Sequence, residues 1–187
     1  MNQTIARVEA LCLTVKDLPG EHVDEVQVDW EGFFGDKHYG LTRKLGRHHQ
    51  PYARGTEVRN MRQVSLVSRE ELDEIAARLD LSHIDPAWLG ANLTLSGLPN
   101  LTHLAPGSQL HFEGGVGLVV DGYNAPCTTA GGYLQTLFPD REKLTNRFPK
   151  AAVDLRGLVA WVRVPGVLRL GESFLVEAPR SVPVSQA

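Results

Sequence analysis

Short runs in which apolar and polar residues alternate one for one constrain this chain more than any other feature. Val26, Val28 and Trp30 alternate with Gln27, Asp29 and Glu31; Leu93 and Leu95 alternate with Asn92, Thr94 and Ser96; Leu110 and Phe112 stand among Gln109, His111 and Glu113. Because successive side chains of a strand point to opposite faces, each run can bury one face and wet the other, as antiparallel sheets require. Residues 8–15, 116–120 and 158–164 are apolar on both sides and read as more deeply buried strands, and 63–67 and 173–176 complete a set of eight. With few helical stretches and turn signals at Leu18-Pro19-Gly20, Ala105-Pro106-Gly107 and Val164-Pro165-Gly166, the pattern predicts a mainly β, predominantly antiparallel barrel or sandwich.

One helix is written plainly over residues 68–79. Ser68 and Glu71 have capping-box spacing, in which hydroxyl and carboxylate each satisfy a free backbone N–H, and Leu72, Ile75, Ala76 and Leu79 follow at helical intervals. Shorter helices are expected over 133–138 and 140–148, split by Pro139. The 187 residues fit a single domain over 1–178 with a loose tail over 179–187. Two distant cysteines, no signal-peptide pattern and no apolar run of about 18 residues point to a reducing cytosol and away from a membrane.

The net charge of −3 argues against a nucleic-acid partner, yet it is unevenly spread. From Arg43 to Arg62 six cations (Arg43, Lys44, Arg47, Arg54, Arg59, Arg62) are opposed by Glu57 alone, a local +5 that leaves −8 for the remainder. An acidic protein with one basic, Gly-containing segment is suited to receive an anion at one place; a solvated loop would carry the same composition.

Two segments carry candidate chemistry. Asn124-Ala-Pro-Cys127 follows a buried strand and precedes a helical stretch, and Pro126 restricts both its own φ and the conformation of Ala125. With Asn124 as helix cap, Cys127 would lie in the first turn, where the helix dipole favours the thiolate that a nucleophile, a persulfide carrier or a soft-metal ligand needs. Cys12, inside an apolar strand, reads as structural. The second segment, Gly32 to Gly40, holds three glycines with Asp36 and His38 two residues apart. Its ligand-type residues lack the close-paired spacing of zinc sites, and no Walker A, Rossmann or nucleophile-elbow motif occurs.

Taken in order, these motifs resemble the MOSC (molybdenum cofactor sulfurase C-terminal) domain family. The Gly32–Gly40 element, Arg62-Gln-Val-Ser-Leu before a helix, Gly90-Ala-Asn-Leu, Gly97-Leu, the Pro126-Cys127 pair, Arg156-Gly-Leu and Gly171-Glu172 are similar to its successive elements, covering about residues 5–177. Asn124 stands where many members have Arg, Gly171-Glu172 replaces a Gly-Asp pair, and residues 43–59 form a longer basic insertion. The resemblance implies a partly closed β-barrel and chemistry of the molybdenum cofactor (molybdopterin). Cys127 would be the catalytic residue and the metal ligand. Phosphate or pterin contacts would fall first to Arg62 and Arg156, then to Arg43, Lys44 and Arg47, with Asp36, His38, Asn92 and Asn124 completing the cofactor-binding set. Three activities follow from it: a reductase of N-hydroxylated or similar small molecules fed by an electron-donor protein; a carrier taking a persulfide from a sulfur-donor protein; or a non-catalytic cofactor-binding module.

Overall fold

The computed structural model describes residues 6–46 and 51–179. Among these described residues, thirteen strands and three α-helices follow one another as β1 (Arg7–Leu13), β2 (Glu21–Val23), β3 (Glu25–Asp29), β4 (Gly32–Phe33), β5 (Thr42–Lys44), β6 (Glu57–Arg59), β7 (Val64–Ser68), α1 (Arg69–Arg78), β8 (Leu93–Ser96), β9 (Gln109–Phe112), β10 (Gly117–Tyr123), α2 (Thr128–Leu137), α3 (Leu144–Ala151), β11 (Leu158–Val164), β12 (Gly166–Arg169) and β13 (Phe174–Glu177). The fold is mainly β. Each of the eight expected runs lies on a strand, and the short β2, β4, β5, β6 and β12 are additional. Few of these extra strands offer enough residues to display an alternation.

Eight strands form one sheet in the order β13-β9-β10-β11-β7-β8-β1-β2, flanked by a three-stranded β12-β3-β4 sheet and the β5-β6 hairpin. All pairings are antiparallel except β7 with β8, which run parallel because α1 makes the crossover between them. The ladder does not close into a continuous ring. A single antiparallel bridge, Arg7 with Ser173, joins the β1 end of the sheet to the approach of β13, supported by Val8 N donating to Glu172 O (2.9 Å) and Gly171 N to Val8 O (2.8 Å). Inside lies a core that draws Leu11, Val28, Phe33, Leu66, Leu93, Leu110 and Leu118, all fully buried, from strands of both larger sheets. A second core packs α1, α2 and α3 through Leu72, Ile75, Leu134 and Phe148 against Val67.

The helix after Ser68 starts as the sequence indicates: Ser68 is its N-cap, accepting from Glu71 N at 3.0 Å. The reciprocal half of the capping box is not made. Glu71 is buried and turns its carboxylate to Thr102, accepting from its N–H (2.9 Å) and its hydroxyl (2.7 Å). Burial raises the Glu71 pKa in spite of these bonds. Thr102 Oγ1 in turn accepts from Gly157 N at 2.9 Å, so the carboxylate tethers the chain immediately before β11. The later helices also differ from expectation: α2 begins directly after Cys127, and α3 begins at Leu144 and runs through Pro149.

Candidate functional site

A cleft of about 450 Å³ opens where several chain segments meet. Its wall takes Lys37, His38 and Tyr39 from the loop after β4, Arg43 from β5, Asn60 and Arg62 from the approach to β7, and Leu89 and Gly90 from the end of a short 3-10 helix. Asn124, Cys127 and Thr129 come from the β10–α2 junction, and Arg156 precedes β11. Cys127, Arg62, Arg156, Arg43, His38 and Asn124 therefore face one space although they span more than a hundred positions of sequence.

Cys127 is exposed and is itself the N-cap of α2, with extended backbone (φ −131°, ψ 163°). Asn124 does not cap that helix, contrary to expectation. It lies three residues earlier, its N–H donates to Gly157 O (3.0 Å) and its Oδ1 accepts from Arg62 Nη2 (3.2 Å). The Pro126-Cys127 step reaches the helix at once, leaving no turn for Asn124 to close. Although partial burial raises the thiol pKa, the opposing influences prevail and hold it below its ordinary value: the N–H groups of Ala130 and Thr129, the Thr129 hydroxyl and the Arg156 charge. Sγ makes no fully formed cap hydrogen bond, so the stabilisation is that of a helix N-terminus and a nearby cation acting on a charge.

Arg156 is buried, donating from Nη2 to Leu89 O at 2.9 Å, while its buried Nη1 has no hydrogen-bond partner among the described residues. Its position is over-determined. The adjoining Gly157 has φ +83° and lies so close to Leu66 that a Cβ would stand 1.9 Å from Leu66 O. Burial pushes the guanidinium down to about 10, against the favourable field of Cys127 and Tyr123 and with the repulsion of Arg62. Arg62 is also pushed down, by burial first and then by Arg43, with Asp121 opposing. Three guanidinium groups thus converge at some electrostatic cost, which an anionic ligand would relieve.

Asp36 and Asn92 do not line the cleft; they form a buried polar support beneath it. Asp36 Oδ2 accepts from Thr14 N (2.8 Å) and Asn92 Nδ2 (2.7 Å), and Oδ1 accepts from His38 N (2.8 Å) and lies 2.8 Å from His38 Nδ1. Burial raises the carboxyl pKa, but its hydrogen bonds, that from the His38 side chain first, outweigh this and hold it below its ordinary value. Asn92 Oδ1 accepts from Ser65 N and Oγ, both at 3.0 Å. Lys44 is exposed on β5 and is not part of the cleft wall. Arg47, His48 and His49 lie outside the described residues. Among the described residues no cluster of three or more His, Cys, Asp or Glu could hold a metal ion, and no helix is long and apolar enough to cross a membrane.

Lys37, Asn60, Ser65, Leu89 and Thr129 were not anticipated. Lys37 lies inside the Gly32–Gly40 segment and Thr129 two residues beyond Cys127, so proximity could have flagged them. Nothing local distinguishes Leu89, whose contribution is a backbone carbonyl.

The fold and this cleft define a MOSC protein: the MOSC domain matches residues 37–174, and the chain belongs to that family. The chain is 39% identical over 174 residues to a protein of Bacillus subtilis (strain 168) named "Putative metal-sulfur cluster biosynthesis proteins YuaD", covering 92% of this chain and 91% of that one. The crystal structure of YuaD superposes with a TM-score of 0.90 at 38% identity, covering 95% of this chain and 98% of that one. YiiM from Escherichia coli shares the fold at 16% identity and a TM-score of 0.61, covering 94% of this chain and 72% of that one.

Proposed function

We propose that the cleft binds an anionic molybdenum cofactor, with Cys127 as the thiolate ligand of the metal. The observation that carries this reading is the pairing of an exposed, acidified thiol with the buried Arg156, whose Nη1 lacks a partner and which lines the same cleft. The donor set fits the group: a thiolate suits a soft or high-valent metal, and guanidinium groups suit a phosphate. Arg156 and Arg62 would hold the phosphate, Asn124 would fix Arg62, and Arg43 and Lys37 would raise the local potential. When bound, the cofactor would supply two-electron redox chemistry at its metal. The chain's own work is to present Sγ as thiolate, to bind the anion, and to hold His38 through Asp36. We further read the curled sheet as a partly closed barrel, and place the protein in the cytosol with its two cysteines reduced. Reduction of N-hydroxylated compounds would draw electrons from a partner protein, since the sequence has no flavin motif and only two cysteines.

A second reading is favoured by the name of the B. subtilis relative, which assigns that protein to metal-sulfur cluster biosynthesis. Cys127 would then carry a persulfide received from a sulfur-donor protein. The experiment is purification from a host able to make the cofactor, followed by molybdenum and pterin analysis alongside intact mass and cyanide-releasable sulfur. Molybdenum and pterin together near one per chain support the first reading. A Cys127-bound sulfur atom without pterin supports the second and overturns the first.

A further inference from the structure

The cleft holds an imidazole whose role the reading above leaves open. His38 lines the cleft with its side chain 42% exposed, whereas the Asp36 side chain behind it is fully buried. Asp36 is held as the carboxylate and can only accept, so His38 Nδ1, at 2.8 Å, must be the donor. The other ring nitrogen, Nε2, stands on the opposite edge and makes no hydrogen bond among the described residues. The backbone is fixed as well: His38 N donates to Asp36 Oδ1, and His38 O accepts from Asn60 Nδ2 (2.8 Å). Carboxylate and loop therefore orient the ring before any ligand arrives.

We propose that His38 is a ligand-contacting residue of the cleft, presenting Nε2 to a tetrahedral dianion and taking up a proton as that dianion binds. This deepens the reading of an anionic ligand and rests on it. The charged and titratable groups around the ring pull in opposite directions. Asp36 favours the imidazolium; Lys37, Arg43, Arg62 and Arg156 on the cleft wall oppose it; Cys127 and Tyr39 complete the titratable lining. A dianion reverses the local potential, so protonation of Nε2 and binding reinforce each other, and Nε2–H becomes a charge-assisted donor beside the guanidinium groups.

The test uses sulfate, a tetrahedral dianion that takes up no proton near neutral pH, so that any proton bound must reside on the protein. Titration calorimetry at pH 7 to 7.5 in two buffers of different ionisation enthalpy measures proton uptake per sulfate. The wild-type chain should take up a clear fraction of a proton. His38→Gln should abolish the uptake and weaken sulfate about tenfold, the loss of one charge-assisted bond, while melting as the wild type does. Asp36→Asn, which removes the imidazolium's partner, should reduce uptake. Cys127 is the competing proton acceptor: uptake that survives Cys127→Ser but not His38→Gln supports the assignment, and the reverse pattern overturns it. No sulfate binding, or unchanged uptake and affinity in His38→Gln, also overturns it. Sulfate binding with His38-dependent uptake in a protein that never acquires molybdenum or pterin would sink the cofactor reading and leave this inference standing.

Discussion

The two cysteines occupy surroundings that invite opposite first impressions. Cys12 has the partners of a catalytic triad: Sγ lies 3.5 Å from His22 Nδ1, and His22 Nε2 lies 2.8 Å from Asp85 Oδ1. Cys127 has no such chain. Yet Cys12 is buried in β1, and burial, reinforced by the Asp85 carboxylate, pushes its thiol from 9.0 to about 12, whereas Cys127 is exposed and held below 9.0. Contacts alone do not make a nucleophile. The sign of the local field and access from solvent do, and of the two cysteines it is Cys127, at the helix N-terminus beside Arg156, that has both.

The largest effect that could break this contrast is thiol reactivity. At pH 7 the raised value alone reduces the Cys12 thiolate about a thousandfold relative to an ordinary cysteine. Iodoacetamide should therefore label Cys127 completely before Cys12 reacts in the folded protein, with labelling of Cys127 half-maximal at a pH below 9.0. Peptide mapping that found Cys12 modified first would reverse the comparison.

A smaller effect isolates the field at Cys127. Arg156→Met removes the nearby charge and a buried hydrogen-bond donor left without an acceptor, so alkylation of Cys127 at pH 7 should slow several-fold and sulfate affinity fall at least tenfold. Folding should not suffer in proportion, because an apolar side chain replaces a buried cation. Unfolding of this variant would show that Arg156 serves structure rather than the site.

On the Cys12 side the effect is one of stability. Its folded value exceeds the unfolded one, so its contribution is complete below the ordinary thiol value of 9.0 and is lost as pH rises from there to about 12. The Tm should decline between pH 9 and 11, and Cys12→Ala should flatten that decline while costing about 1 kcal/mol at pH 7. Labelling of Cys127 should be unaffected. The smallest effect belongs to His22→Gln. The His22–Asp85 pair is half-exposed, so denaturant melts should shift by about 0.5 kcal/mol or less. A loss of several kcal/mol would mean that the triad-like chain is a structural element in its own right.

The same contrast shows what was legible beforehand. Three alternating runs, three continuous apolar runs and two shorter segments marked the eight main strands, and the Pro126-Cys127 step marked the exposed thiol of the cleft, because all of these are local patterns. The parallel β7–β8 pair was not foreseen, since a crossover helix leaves no mark on the strands it joins. Glu71 reads as the second half of a capping box until Thr102, 31 positions away, competes for its carboxylate. Asp36 and Asn92 look like ligand contacts in sequence, for a buried hydrogen-bond hub uses the same residue types as a binding site. The cleft's cations were visible as a basic segment, but Lys44 faces away and Arg156 comes from the other side of the chain.

In the proposed function Cys127 ligates the metal through Sγ. X-ray absorption at the molybdenum edge, on protein loaded with cofactor in a competent host, tests it most directly. The wild type should show one more sulfur ligand than Cys127→Ser. Equal sulfur counts, with molybdenum retained in both, would contradict it.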